Sequence, residues 1–235
     1  MLFTNKRVDR KIYIRVNDTA LEQKSECKFL GIIVDDDINW KSHIKYISSK
    51  VSKTIALLRF LKYKFPKQIR KTLYMSLIQP YLNYCNIIWG AEEKTILEPL
   101  VILQKKAIRI ICRVPNLENT EVLFTTLNIL TIPQIFTLNC ILFIYKCLYS
   151  GQFNEFKKRL LRGNDYHSYN TRYNTDFRLP GSRLKNIRQS FLYVGMRKWN
   201  TLDQALIVYK PRLNFKINVT SFKRKIKRKI LNREL

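Results

Sequence analysis

The sequence predicts a mainly α protein: a small N-terminal antiparallel β element, then a helical thumb-like bundle and a C-terminal helical region. Three observations carry this. Only six Gly and seven Pro occur in 235 residues, few for an all-β chain full of turns. Apolar residues recur at spacings of three and four from Trp40 onward, whereas before Val34 they alternate. The apolar share of 46% suffices for a sizeable core.

In Lys11–Val16, Ile12, Ile14 and Val16 point one way, Tyr13 and Arg15 the other, and Asn17-Asp18 supplies turn chemistry. Cys27–Val34 is apolar almost throughout and reads as a second strand. A lone hairpin is marginal in water, so this element must pack on something else, and its incomplete edge is a candidate for association. Trp40, Ile44, Ile47, Val51, Ile55 and Leu58 then lie on one helical face, with Asn39 as the expected N-cap. Lys41, Lys45, Ser48, Ser49, Ser52 and Lys53 fall opposite. Pro66 fits the first turn of a helix towards Ile78, and Pro80 ends or kinks it. Pro99 is expected to start a helix to about Arg113, with Leu100, Leu103, Ala107, Ile110 and Ile111 inward and Lys105, Arg109 and Arg113 in a basic line. An apolar helix of about Ile132–Tyr149 stops at Ser150-Gly151. Residues 162–188 read as a loop-rich connector. A short helix near Ser190–Leu202 follows, then a basic amphipathic helix from Ser221 with Phe222, Ile226 and Ile230 aligned. The expected organisation is thus 1–38, a β element; 39–115, thumb-like helices; 116–161, an apolar helical region; 162–188, the connector; and 189–235, the basic C-terminal region.

The net charge is +27, from 44 Lys and Arg against 17 Asp and Glu. A surplus that large repels itself unless a polyanion or an anionic surface neutralises it. Five scattered Cys with no Cys-x-x-Cys pair indicate neither a disulfide framework nor a zinc ribbon, and point to a reducing, intracellular compartment, cytoplasmic or nuclear. No signal peptide opens the chain, and the Ile135–Tyr149 stretch, interrupted by Asn139 and Lys146, falls short of a membrane span.

Asp35-Asp36-Asp37 invites comparison with the paired carboxylates that hold two metals in polymerases. Its place before a helix start favours a structural role, because turns use Asp and the positive end of a helix dipole attracts it. His43 and His167, the two histidines, lack metal-ligand spacing, and His43 reads as a half-buried helix residue. No phosphate-loop glycine pattern or nucleophile elbow occurs, so neither a small-molecule substrate nor a resident cofactor is indicated. Phosphate binding fits better, since Lys41, Lys45, Ser49 and Lys53 on one helix and Lys105, Arg109 and Arg113 on another present the donors that nucleic-acid backbones require. Charged lines on helices are ordinarily solvated faces, and only the whole-chain surplus shifts the reading to binding.

Several stretches, in order, resemble the region downstream of the catalytic palm in jockey-like non-LTR retrotransposon reverse transcriptases. These are Lys28-Phe29-Leu30-Gly31-Ile32 with Asp35 and Asn39-Trp40-Lys41-Ser42-His43-Ile44; Gln79-Pro80-Tyr81-Leu82-Asn83-Tyr84 with Trp89-Gly90; Leu103-Gln104-Lys105-Lys106-Ala107-Ile108-Arg109; His167-Ser168-Tyr169-Asn170-Thr171-Arg172; and Gly195–Leu202 with Trp199-Asn200, then Ser221-Phe222-Lys223. The resemblance implies that Lys28, Phe29, Leu30 and Gly31 belong to the strand beside the primer grip. It makes the helices from Trp40 to about Arg113 a thumb holding a template–primer duplex of RNA or DNA without sequence specificity. The family's catalytic motif, an aromatic residue and Ala ahead of two Asp, has no counterpart here. The expectation is therefore a truncated element product, inactive alone, with Mg²⁺ belonging only to a full-length polymerase. The alternative is a non-catalytic interaction module, or a decayed element product, docking on protein or anionic membrane through its basic helices. The C-terminal helix lacks the Trp and Leu richness of strong interfacial anchors.

Overall fold

Among the described residues, two separate hairpins, not one pair of strands, precede the helices. The computed structural model describes residues 13–17, 19–165, 175–202 and 215–232. β1 (Ile14–Val16) pairs antiparallel with β2 (Thr19–Leu21), every residue exposed, and Asn17 turns with φ 47°. β3 (Glu26–Phe29) pairs antiparallel with β4 (Ile32–Asp35), from Glu26 opposite Asp35 to Phe29 opposite Ile32. The expected continuous strand Cys27–Val34 is thus folded back at Leu30-Gly31, whose φ values of 46° and 84° are those of a two-residue hairpin turn. Leu30 pays for a left-handed backbone, and the Tyr84 hydroxyl, donating to its carbonyl, holds the turn.

The helices follow, and the chain divides into two compact units: 1–85 with 92–116, and 86–91 with 117–235. Among the described residues eleven α-helices accompany the two small sheets, so the protein is mainly α with an N-terminal β element. The first unit contains α1 (Lys41–Phe60), α2 (Lys67–Leu77) and α3 (Gln79–Asn83); α4 (Asn86–Trp89) lies in the second, and α5 (Lys94–Cys112) returns to the first. Ile44, Ile47, Val51, Ile55 and Leu58 of α1 are buried, as are Leu97, Leu100, Ala107, Ile108 and Ile111 of α5, which packs on it. At about 1.5–3 kcal/mol per fully buried aliphatic side chain, this paired face is the main apolar contribution of the unit.

Three expectations in this unit need correction. The residue at the α1 N-cap is Trp40, left-handed at φ 58°, while Asn39 caps from one position earlier, its Oδ1 accepting the Lys41 N–H at 3.0 Å. Helix α5 begins at Lys94 rather than at Pro99, because the Glu93 carbonyl already accepts from Ile96 and Leu97. Pro99 sits inside the helix, where the buried Leu97 and Leu100 on either side hold the turn that proline weakens. His43 is buried outright, 1% exposed, and its Nδ1 accepts the Ile33 N–H of β4 at 3.3 Å.

That last bond makes a pH prediction. Burial lowers the His43 pKa below its ordinary 6.5, and an Nδ1 that accepts a hydrogen bond must be unprotonated. The unfolded chain therefore binds the His43 proton at a higher pH than the folded one. Its contribution to stability is complete above the unfolded pKa and is lost as pH falls below it, at up to about 1.4 kcal/mol per pH unit. Thermal melts at pH 7.5 and 5.5 should show the loss, and His43→Gln should remove this one-proton share of it. An unchanged pH dependence in the variant would show that His43 is not its source.

The second unit contains α6 (Glu121–Thr126), α7 (Ile132–Tyr149), α8 (Asn154–Lys157), α9 (Lys185–Gln189), α10 (Phe191–Asn200) and α11 (Phe215–Leu231); α4, α8, α10 and α11 pack on α7, and α9 packs on α10. A capping box starts α7, the Thr131 N–H donating to Gln134 Oε1 at 3.0 Å, and Ser150 ends it before Gly151 at φ 69°. By length and composition α7 could cross a membrane, yet Ile135, Leu138, Cys140, Ile141, Ile144 and Tyr145 are buried in the unit, as expected of a core helix. Gly195 lets α10 close on it: a Cβ there would lie 2.8 Å from Ile144 Cγ1 and 3.1 Å from the Cys140 carbonyl oxygen. Tyr145 and Phe222 stack in the core, their rings 4.3 Å apart at 20°, and Trp199 lies tilted against both. The expected connector contains the helix Lys185–Gln189 and a bridge between Arg162 and Phe177. The final helix starts at Phe215, six residues before Ser221, with Phe222, Ile226 and Ile230 buried as expected.

Candidate nucleic-acid interface

All ten candidate residues fall in the first unit. The first turns of α1 and α5 enclose a groove of about 500 Å³ lined by Lys41, Ile44, Lys45, Ser48, Thr95, Ile96 and Pro99. At the other end the last residues of the same two helices meet, so α1 and α5 run parallel. The groove therefore lies beside the starts of both helices, between two exposed lysines and two hydroxyl side chains. The arrangement suits an anion with apolar contact beneath it.

Lys28 lies by another face of α1, its Nζ 5.3 Å from the ring centroid of Tyr46, which does not line the groove. Lys50 approaches the same ring at 5.6 Å, so Tyr46 gathers two cations that the sequence reading did not connect. Lys28 and Phe29 end strand β3 and Leu30-Gly31 form the turn that follows, with Phe29 and Leu30 exposed at the hairpin tip, 65% and 75%, and Gly31 against the Tyr84 ring. Lys53 is exposed on α1, two turns beyond Lys45.

On α5 the expected basic line divides. Lys105 is exposed and Arg109 half-buried, whereas Arg113 turns back. Its left-handed backbone, φ 59°, sends Nε to the Lys62 carbonyl at 3.0 Å and Nη2 to the carbonyls of Phe65 and Tyr63 at 3.3 and 3.4 Å. Arg70, 2% exposed and unmarked in the sequence reading, does the same from inside: Nη1 donates to the carbonyls of Lys62 and Phe65, Nε and Nη2 to that of Ile111. Two guanidinium groups thus cap the C-terminal ends of α1 and α5, where the helix dipoles favour positive charge.

The first residue of the acidic run has structural work. Asp35 closes β4, buried, with Oδ1 accepting the Asn39 N–H at 2.9 Å. Among the described residues no three of His, Cys, Asp and Glu gather as metal ligands. Other motif residues are structural too. The Gln104 amide donates to the buried Tyr74 hydroxyl at 3.0 Å, and the Asn200 amide pairs in both directions with the Phe177 backbone, at 2.9 and 2.8 Å. The segment 167–172 lies outside the described residues.

Over 124 residues the chain is 26% identical to a probable RNA-directed DNA polymerase from transposon BS of Drosophila melanogaster, a match covering 52% of this chain and 14% of that protein. Over 105 residues it is 25% identical to the RNA-directed DNA polymerase from mobile element jockey of Drosophila funebris, covering 43% of this chain and 12% of the relative. The chain resembles retrotransposon polymerases. One of these relatives is the jockey polymerase itself, the group to which the sequence motifs point. The similarity spans about half of this chain and about one seventh of either relative's length. No protein-family model matches the chain, and no solved structure matches it significantly.

Proposed function

We propose that this chain is a thumb-like part of a retrotransposon RNA-directed DNA polymerase, one that grips the phosphate backbone of a template–primer duplex without reading its sequence. The observation that carries this is the groove at the joined starts of α1 and α5, with Lys41 and Lys45 at its rim. Lys53, Lys105 and Arg109 extend the cationic surface along the two helices, and Lys28-Phe29-Leu30-Gly31 offers a basic residue and an exposed apolar tip to the duplex end. Similarity to two named polymerases supplies the ligand class.

Phosphate contacts release counterions, so the test is the salt dependence of binding. For a labelled DNA duplex followed by fluorescence anisotropy, log K should fall with log[salt] at a slope of roughly −4 to −5, from about 0.9 per phosphate contacted. Replacing Lys41, Lys45, Lys53, Lys105 and Arg109 together by Ala should flatten that slope by about three to four units, equally for unrelated sequences, because phosphates carry no base information. A variant that keeps the parental slope would refute the assignment. The same reading has the carboxylates of two-metal chemistry outside this chain, so primer extension on an RNA template with Mg²⁺ should yield no product. Extension that disappears on Asp36→Ala with Asp37→Ala would refute that part.

A further inference from the structure

We infer that α11 carries a second, separate phosphate-binding face, directed to the backbone of a nucleic-acid duplex and not to a membrane. Helix Phe215–Leu231 contains seven Lys and Arg and no Asp or Glu. Its apolar residues are spent inside the unit: Phe222, Ile226 and Ile230 are 2%, 0% and 4% exposed, and Phe222 stacks on Tyr145. An interfacial helix needs a free apolar face to enter the headgroup region, and among the described side chains α11 has none to offer. What it offers is Lys223, Arg224 and Arg228, all exposed.

The like charges are also held in place. Arg224 and Arg228 stand at i and i+4, as do Lys223 and Lys227, spacings at which equal charges destabilise a helix. Anchors oppose the repulsion from below, with Lys227 Nζ donating to the Asn128 carbonyl at 2.7 Å and the Gln134 amide to the Ile230 carbonyl at 3.4 Å. Cations at the last turn satisfy the helix dipole, which accounts for Arg228 and Lys229 but not for Lys223 and Arg224 a turn earlier. A rigid stripe of guanidinium and ammonium groups over a sealed apolar face fits a line of phosphates, with the two arginines able to take an oxygen pair each.

This face does not depend on the α1–α5 reading, since it uses other residues in the other unit. The test is the full chain carrying Lys223→Gln, Arg224→Gln and Arg228→Gln, titrated with the same DNA duplex across salt concentrations. The expected result is a slope flatter by about one to two units. In parallel, acetylation of wild-type lysines with and without duplex should show Lys223 protected, a readout that needs no variant to fold. A parental slope, or Lys223 acetylated equally in both conditions, would overturn the inference. So would protection of Lys223 by phosphatidylserine vesicles equal to that given by the duplex, which would mark a membrane surface.

Discussion

Arg70→Ala should destabilise the first unit by about 3–5 kcal/mol, a large part of the roughly 5–15 kcal/mol that holds a typical domain together. The Ile111 carbonyl receives two donors, both from Arg70, and would be left buried without them, at about 1–3 kcal/mol. The carbonyls of Lys62 and Phe65 keep Arg113 as a second donor, so their share of the loss is small. The aliphatic stem of a residue 2% exposed adds the rest, at about 0.8 kcal/mol per buried methylene. Arg113→Ala should cost far less, since Arg70 still serves Lys62 and Phe65. The double variant should then lose more than the sum of the two, because only then do those carbonyls lose both donors. Arg70→Lys should recover only part, as an ammonium cannot fork between two helix ends. Urea unfolding of the wild type and the four variants decides it. Additive losses, or an Arg70→Ala cost under about 1 kcal/mol, would show that the clasp is not what holds the helix ends.

Phe222→Ala is the second large effect, expected at about 3–5 kcal/mol for a buried aromatic truncated in a packed core. The ring is 2% exposed and lies 4.3 Å from Tyr145 and 5.9 Å from Trp199, so the variant loses stacking as well as burial. Because Phe222 is the first of the three residues seating α11, hydrogen exchange should accelerate along 219–232 before it does in α7. Unchanged protection of that segment would show that Ile226 and Ile230 hold the helix without it.

Much of the fold is legible in the sequence where an apolar stripe and a capping residue agree. The stripe from Ile44 to Leu58 is the buried face of α1, and α7 runs from Ile132 to Tyr149 as its apolar run and Ser150-Gly151 indicate. Legibility fails where one signal overrides another. Leu30 is no turn former, so the apolar run 27–34 conceals a hairpin whose turn is held by Tyr84, a residue 54 positions away. Pro99 reads as a helix start, yet the buried Leu97 and Leu100 carry α5 through it. Asn, Val, Thr and Ser between Phe215 and Ser221 are poor helix formers, which hides the early start of α11.

The candidate site is legible in charge and much less so in geometry. Lys41 and Lys45 stand at one groove as their shared helical face suggests, but that Thr95, Ile96 and Pro99 form the facing wall depends on how α5 packs. Arg113 leaves its line because a left-handed residue ends the helix there. Arg70 gives no sequence signal at all, since its partners are backbone carbonyls, which no side-chain pattern reveals.

That choice of partner has an evolutionary consequence. Every residue type offers the same carbonyl, so positions 62 and 65 can drift through many substitutions without weakening the clasp and position 111 is held only by the packing of its buried side chain, while position 70 has no substitute for its forked donor. An alignment of relatives should therefore show an invariant arginine facing variable positions, with none of the paired substitutions that betray a salt bridge between side chains. Co-variation analysis would miss this contact, although the two helix ends depend on it.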